Sequence, residues 1–149
     1  MDVSVKIEGT NEVMTDLRQF GKEGKKAIKK GVDKTAAKVN KDAKLKLRSD
    51  GHIITRRLSS SIHVESKQGE QYNYSDDTNK QYNGSLSEKI DDTEAIVGTN
   101  VHYAPYIEFG TKYFSGDSYL EYAAIKNEKT LFENLTDELN KLIQKYSGR

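Results

Sequence analysis

The 149-residue sequence predicts an α+β fold, a small antiparallel β-sheet packed against a long basic helix and a C-terminal helix. Three observations predict it. Val3, Val5 and Ile7 alternate with Ser4, Lys6 and Glu8, the period of a half-buried strand. Ile28, Val32, Ala36, Val39, Ala43 and Leu47 recur at spacings of three and four, the period of one helix face. Leu120, Ala124, Leu131, Leu135, Leu139 and Leu142 repeat that helical spacing near the C-terminus.

The elements follow in chain order. Gly9 ends the first strand, and Thr10 or Asn11 can cap a short helix that carries Val13, Leu17 and Phe20 on one face up to Gly21. The long helix is expected from Lys22 to Arg48, roughly 40 Å at 1.5 Å per residue. Ala36, Ala37 and Ala43 would let a neighbour approach, while Gly24 and Gly31 weaken the helix by up to ~1 kcal/mol each. Thr55–Ser60 fits one helical turn capped by Thr55, and Ser61–Glu65 reads as a strand. Residues 67–84 are polar with interleaved Tyr72, Tyr74 and Tyr82, and read as a mobile loop or the tip of a long hairpin. Leu86–Ile90 and Glu94–Gly98, joined by Asp91-Asp92-Thr93, read as a hairpin. The last helix should start near Ser118, where Ser118 and Glu121 fit a capping box. No repeat or linker divides residues 1–149, so one domain is expected.

Composition narrows the function. Only 34% of residues are hydrophobic and 32% are charged, which suits a small core or a subunit that completes its burial against neighbours. Cysteine is absent, so neither disulfides nor thiolate sites arise. No stretch approaches the ~20 apolar residues of a membrane helix, and Met1–Val5 lacks the pattern of a signal peptide, so synthesis in a cytoplasm is expected. Residues 1–64 hold 15 Lys/Arg against 8 Asp/Glu, and residues 65–149 hold 9 against 15. A basic half and an acidic half suit docking to different partners or to further copies.

Catalysis finds little support. His52, His63 and His102 are scattered outside any metal-ligand spacing. Ser59, Ser60 and Ser61 lie near His63 but lack the strained turn that exposes a nucleophile. The pairs Asp76-Asp77 and Asp91-Asp92 occupy turn-like contexts, and the glycines form no phosphate loop. The sequence thus predicts no enzyme, catalytic residue, metal, cofactor or small-molecule substrate.

Twelve Lys/Arg and three acidic residues lie between Arg18 and Arg48, most of them on the basic helix. Lys25, Lys26, Lys29, Lys30, Lys34 and Lys38 are candidates for facing DNA, non-specifically through its backbone. A solvated face, or one meeting an acidic partner, is the simpler account of them. The alternative function is therefore a small non-specific DNA-binding protein using helix 22–48.

The segment Val97-Gly98-Thr99-Asn100-Val101-His102-Tyr103-Ala104-Pro105-Tyr106-Ile107-Glu108-Phe109-Gly110-Thr111 is the most informative. It resembles the signature of the head–tail joining, or tail-component, family of long-tailed phages and prophages. There a strand ending in Val-Gly-Thr leads into Tyr-Ala-Pro-Tyr, an aliphatic residue and Glu-Phe-Gly-Thr. Val5–Gly9, the long basic helix and Thr55–Ile62 are similar to the family in outline. Arg56 replaces the usual glycine, no proline follows Thr111, and the insert around Tyr72–Tyr82 is long.

The resemblance implies a virion protein at the neck–tail junction, made and assembled in the bacterial host. It implies a ring of self-copies, six in number, touching tail-terminator and head-completion or connector proteins and enclosing a DNA channel. Tyr103, Pro105, Tyr106, Glu108, Phe109 and Tyr113, with Tyr72, Tyr74 and Tyr82, are the candidate interface residues. The aromatics of the motif either form such an interface or close the subunit's own core. Glu108 could pair with a lysine of the long helix in the same subunit or the next.

Overall fold

The computed structural model describes residues 3–8, 21–51, 57–66, 73–75, 81–83 and 90–147. The first strand, β1 (Val3–Glu8), precedes the long helix α1 (Gly21–Ser49). A short helix α2 (Arg57–Ser61) leads into β2 (His63–Ser66). Two three-residue strands follow, β3 (Asn73–Ser75) and β4 (Gln81–Asn83), and then β5 (Glu94–Thr99). Three helices complete the chain, α3 (Ala104–Phe109), α4 (Tyr119–Lys126) and α5 (Glu128–Ser147).

The main sheet has the order β1-β5-β2, and both pairings are antiparallel. Val5, Val97 and Val64 stand abreast in one row and face the core. Strand period puts Val3, Ile7 and Ala95 on that same face. The predicted α+β architecture is present: this sheet packs on α1, and α1 in turn packs on α4 and α5.

The stripe predicted for α1 lies at the centre. Ile28, Val32, Ala36, Val39, Ala43 and Leu47 are all buried against the sheet and α4. Each large side chain among them contributes roughly 1.5–3 kcal/mol by leaving water. A second buried row, Gly24, Ala27, Gly31 and Thr35, is turned toward α5. Gly31 is needed there because a Cβ would meet Leu135 Cδ2 at 2.9 Å and its Cα at 3.1 Å. Glycine's helix penalty is thus offset by a close helix crossing. Ala37, expected to admit a neighbour, is exposed.

Several expectations change. The C-terminal helix is two helices, broken at Asn127. That side chain is buried, and its Nδ2 donates to Asp42 Oδ2 at 2.7 Å and to the Ala123 carbonyl at 2.8 Å. A side chain competing for the local carbonyls interrupts the helical ladder. Ser61 ends α2 rather than opening the strand, because its Oγ donates to the Leu58 carbonyl at 2.7 Å. The strands paired with β5 are β1 and β2, and Ile90 lies in no strand. Within 67–84, β3 and β4 pair antiparallel with Tyr74 opposite Tyr82. The expected helix around Val13–Phe20, Thr55, His52, Tyr72, Asp76-Asp77 and residues 86–89 lie outside the described residues.

The α1–α5 crossing gives a direct test. Gly31→Leu should lower stability by about 2–3 kcal/mol through overpacking, seen as an earlier denaturant midpoint. Ala37→Leu, on the exposed side of the same helix, should change it by less than about 0.5 kcal/mol. Equal losses would mean that Gly31 does not serve the crossing.

Candidate functional site

The segment from Val97 to Tyr119 builds one rigid unit at the end of the central strand. On β5, a Cβ at Gly98 would fall 2.4 Å from the Val3 carbonyl oxygen, so glycine lets β1 cross close. Beyond it the Val101 N–H donates to Thr99 Oγ1 at 3.1 Å. Thr99 and Ser61 hydroxyls lie 2.6 Å apart. Because Ser61 spends its proton on Leu58, Thr99 is the donor of that pair. The relay fixes the exit of β5 to α2.

The chain then turns into α3. Pro105 stands in its first turn, where a missing N–H costs no helical bond. Ala104 and Glu108 face inward, Tyr103 and Ile107 pack partly against the core, and Tyr106 and Phe109 point out. Gly110 ends the helix at φ +91°. A Cβ there would meet the Phe114 carbonyl oxygen at 2.4 Å. Thr111 and Phe114 form a bridge, with the Thr111 N–H donating to the Phe114 carbonyl at 2.7 Å. Tyr113 stands at the tip of that turn.

Glu108 locks this unit to the rest of the molecule. Its carboxylate is buried and accepts the Leu120 N–H at 2.9 Å and the Glu121 N–H at 3.0 Å. It therefore caps the N-terminus of α4, the position a capping residue fills. The predicted Ser118–Glu121 box does not form. Ser118 Oγ donates instead to the Glu108 carbonyl at 3.3 Å, and Asp117 N–H donates to the Ile107 carbonyl at 2.7 Å. Among the described residues of its own subunit Glu108 pairs with no basic residue of α1 and holds the two N–H groups instead. Burial raises its pKa, and the backbone donors partly offset that rise. Neighbouring Tyr119 is fully buried, and the same loss of solvent pushes its phenol upward.

The aromatics divide. Tyr106 is 59% exposed, Phe109 67% and Tyr113 91%, whereas Tyr103 is half-buried against the core. Tyr119, not singled out in the sequence, takes the core position. Tyr74 and Tyr82 belong to β3 and β4, distant in sequence from this unit.

The lysines divide too. Lys29 pairs with Asp33 at 2.9 Å, and Lys34 pairs with the buried Glu138, which also draws Lys141 to 3.3 Å. The Lys34 hydrogen bond holds the Glu138 carboxyl below its ordinary value. Lys26 and Lys30 line a groove shared with Glu23 and Glu138. Lys25 and Lys38 are exposed. A second groove, which the sequence did not single out, lies further along α1 beside α2.

No serine–histidine pair forms near Ser59–Ser61. His63 Nδ1 donates to the Ser61 carbonyl at 2.8 Å and its Nε2 lies 2.8 Å from Glu65 Oε1, so both ring nitrogens are engaged. Among the described residues no group of three or more His, Asp or Glu could hold a metal ion. No helix among them is long and apolar enough to cross a membrane.

A protein-family model described as "Bacteriophage HK97-gp10, putative tail-component" matches residues 11–110, a span that ends at the close of α3. No curated protein and no solved structure matches the chain.

Glu108→Ala should cost about 2 kcal/mol by orphaning one buried and one part-buried backbone donor. Its pH dependence has a definite sign. The folded pKa is raised, so the native state holds the proton more tightly than the unfolded chain does. The associated stability is full below the unfolded value, about 4.3, and is lost as pH rises through the folded one. Denaturant titrations across that window should show wild type gaining on Glu108→Gln as pH falls. A pH-independent gap between the two would refute the assignment.

Proposed function

The chain belongs to the HK97-gp10-like family of bacteriophage tail components, and from that premise we propose that it is a non-enzymatic structural subunit joining head and tail. In this reading identical copies assemble as a ring at the neck–tail interface of the virion. The ring, six copies in our reading, contacts a tail-terminator ring on one side and a head-completion or connector ring on the other.

The observation that carries the proposal is the exposure of Tyr106, Phe109 and Tyr113 on a backbone fixed from both ends. Large aromatics on a preorganised turn lose little conformational entropy on docking, and such residues dominate interface energetics. A closed ring needs two unlike, complementary surfaces on each subunit. Tyr122, Ile125 and Phe132 supply a second exposed apolar set, on α4 and α5. The basic N-terminal half and the acidic C-terminal half add charge complementarity between successive copies. Pro105 and Glu108 act in this scheme as positioning residues, while Tyr103 anchors the turn to the core. The Tyr72, Tyr74 and Tyr82 segment supplies a further contact to a neighbouring ring.

The triple variant Tyr106→Ser, Phe109→Ser, Tyr113→Ser tests it. Because all three side chains face solvent, the free subunit should melt within a few degrees of wild type. Loss of three hot-spot aromatics at about 2 kcal/mol each should weaken assembly by roughly ten-thousandfold or more. Complementation of a phage lacking the chain should then yield heads without attached tails. Normal particle yield from the triple variant, or virions that lack the chain altogether, would overturn the proposal.

A further inference from the structure

The groove beside α2 has a volume of about 660 Å³ and is lined by Ala37, Asn40, Lys41, Lys44, Leu45 and Arg48 of α1 with Ser59 and Ser60 of α2. It differs in charge from the groove at the other end of α1. That one contains Glu23 and Glu138 beside its lysines. Among its described lining residues this one has three cations and no carboxylate. Lys41, Lys44 and Arg48 form no ion pair with any described residue.

We propose that this groove is a phosphate site that holds the backbone of nucleic acid, with Lys41, Lys44 and Arg48 as its charged contacts and Ser59 and Ser60 as hydroxyl partners. The donor set fits a multi-oxygen anion, because two ammonium groups and a guanidinium supply donors in several directions and accept none. Lys44 is partly withdrawn from solvent, which lowers its pKa, and no carboxylate compensates it. A bound anion would.

The wider surface favours a polyanion over an isolated carboxylate. Lys26, Lys30, Lys34, Lys38, Lys41, Lys44 and Arg48 are spaced 4, 4, 4, 3, 3 and 4. They follow one stripe of α1, roughly 33 Å long at 1.5 Å per residue. Acidic residues meet that stripe toward its N-terminal half, at Lys34 through Glu138, so the unneutralised end is the groove. The phosphate backbone of a duplex presents charge continuously over such a length. A serine hydroxyl pair and a lone basic groove carry no base-reading geometry, so binding is independent of sequence. The site is separate from the aromatic turn, and its failure would leave the assembly proposal standing.

The test uses the full chain and a 20-base-pair duplex of arbitrary sequence, followed by fluorescence anisotropy across a salt series. Lys41→Gln/Lys44→Gln/Arg48→Gln should reduce the log–log salt slope by about 2.7, at roughly 0.9 per lost phosphate contact, and weaken low-salt affinity at least tenfold. Lys112→Gln/Lys129→Gln, exposed and away from α1, should leave the slope within about one contact of wild type. Circular dichroism should show unchanged helix content in both variants. Four results would overturn the proposal, the first three being no duplex binding by wild type at low salt, equal binding by the groove variant, and polyglutamate binding through the same three residues as tightly as the duplex. Inorganic phosphate provides the last arm. If it saturates the groove at a concentration that excludes the duplex at physiological salt, the site serves free phosphate and the nucleic-acid assignment falls.

Discussion

A buried carboxylate has few ways to be stable, and Glu108 uses the N-terminus of α4. Two backbone N–H groups that would otherwise be orphaned meet two oxygens that would otherwise be stranded. The contact spans twelve residues of sequence and joins the turn after the central strand to the helices that cover α1. Everything outside it inherits its geometry. Tyr106 and Phe109 flank Glu108 on α3, so pinning Glu108 inward directs them outward. Gly110 and Gly116 then let the chain fold back on itself, which places Tyr113 at an exposed tip.

The long helix is the other organising element, and its circumference divides into three tasks. One face carries the branched residues that pack under the sheet. A second face carries Gly24, Ala27, Gly31 and Thr35, and small side chains there let α5 come near. Polar contacts fix the register of that second face. Asp42 holds Asn127 at the break between α4 and α5, and Thr35 Oγ1 receives Asn134 Nδ2 at 3.1 Å. Apolar contact alone would tolerate sliding, while buried polar partners penalise it. The third face is the lysine stripe, left to solvent and to partners.

These two elements separate the surfaces a virion subunit would use. The aromatic turn is apolar, and Tyr122, Ile125 and Phe132 stand exposed among the charged residues of α4 and α5; both suit protein neighbours. The stripe on α1 is cationic and suits an anion. A lean core is consistent with both, because a chain with 34% hydrophobic residues still exposes Phe109, Ile125 and Phe132. Apolar side chains withheld from so small a core gain their burial most readily in an assembly.

Periodicity in the sequence determined the elements whose stability rests on near neighbours in the chain. The alternation of Val3, Val5 and Ile7, the stripe from Ile28 to Leu47 and the leucines of the last helix each declare a face, and each face is buried as read. The signature around Tyr103–Thr111 identified the family by residue type alone. Tertiary structure decided what depends on contacts between distant residues. No local pattern marks Glu108 as the cap of a helix that begins eleven residues later, so a local capping box was expected in its place. Asn127 fits a helix by propensity, and only its contact with Asp42, 85 residues earlier, breaks that helix in two. Gly31 reads as a weak point until Leu135 lies against it. The lysines of α1 look alike in sequence; Asp33 and Asp50 pair two of them locally, and where Glu138 of α5 came to rest decided the pairing of Lys34.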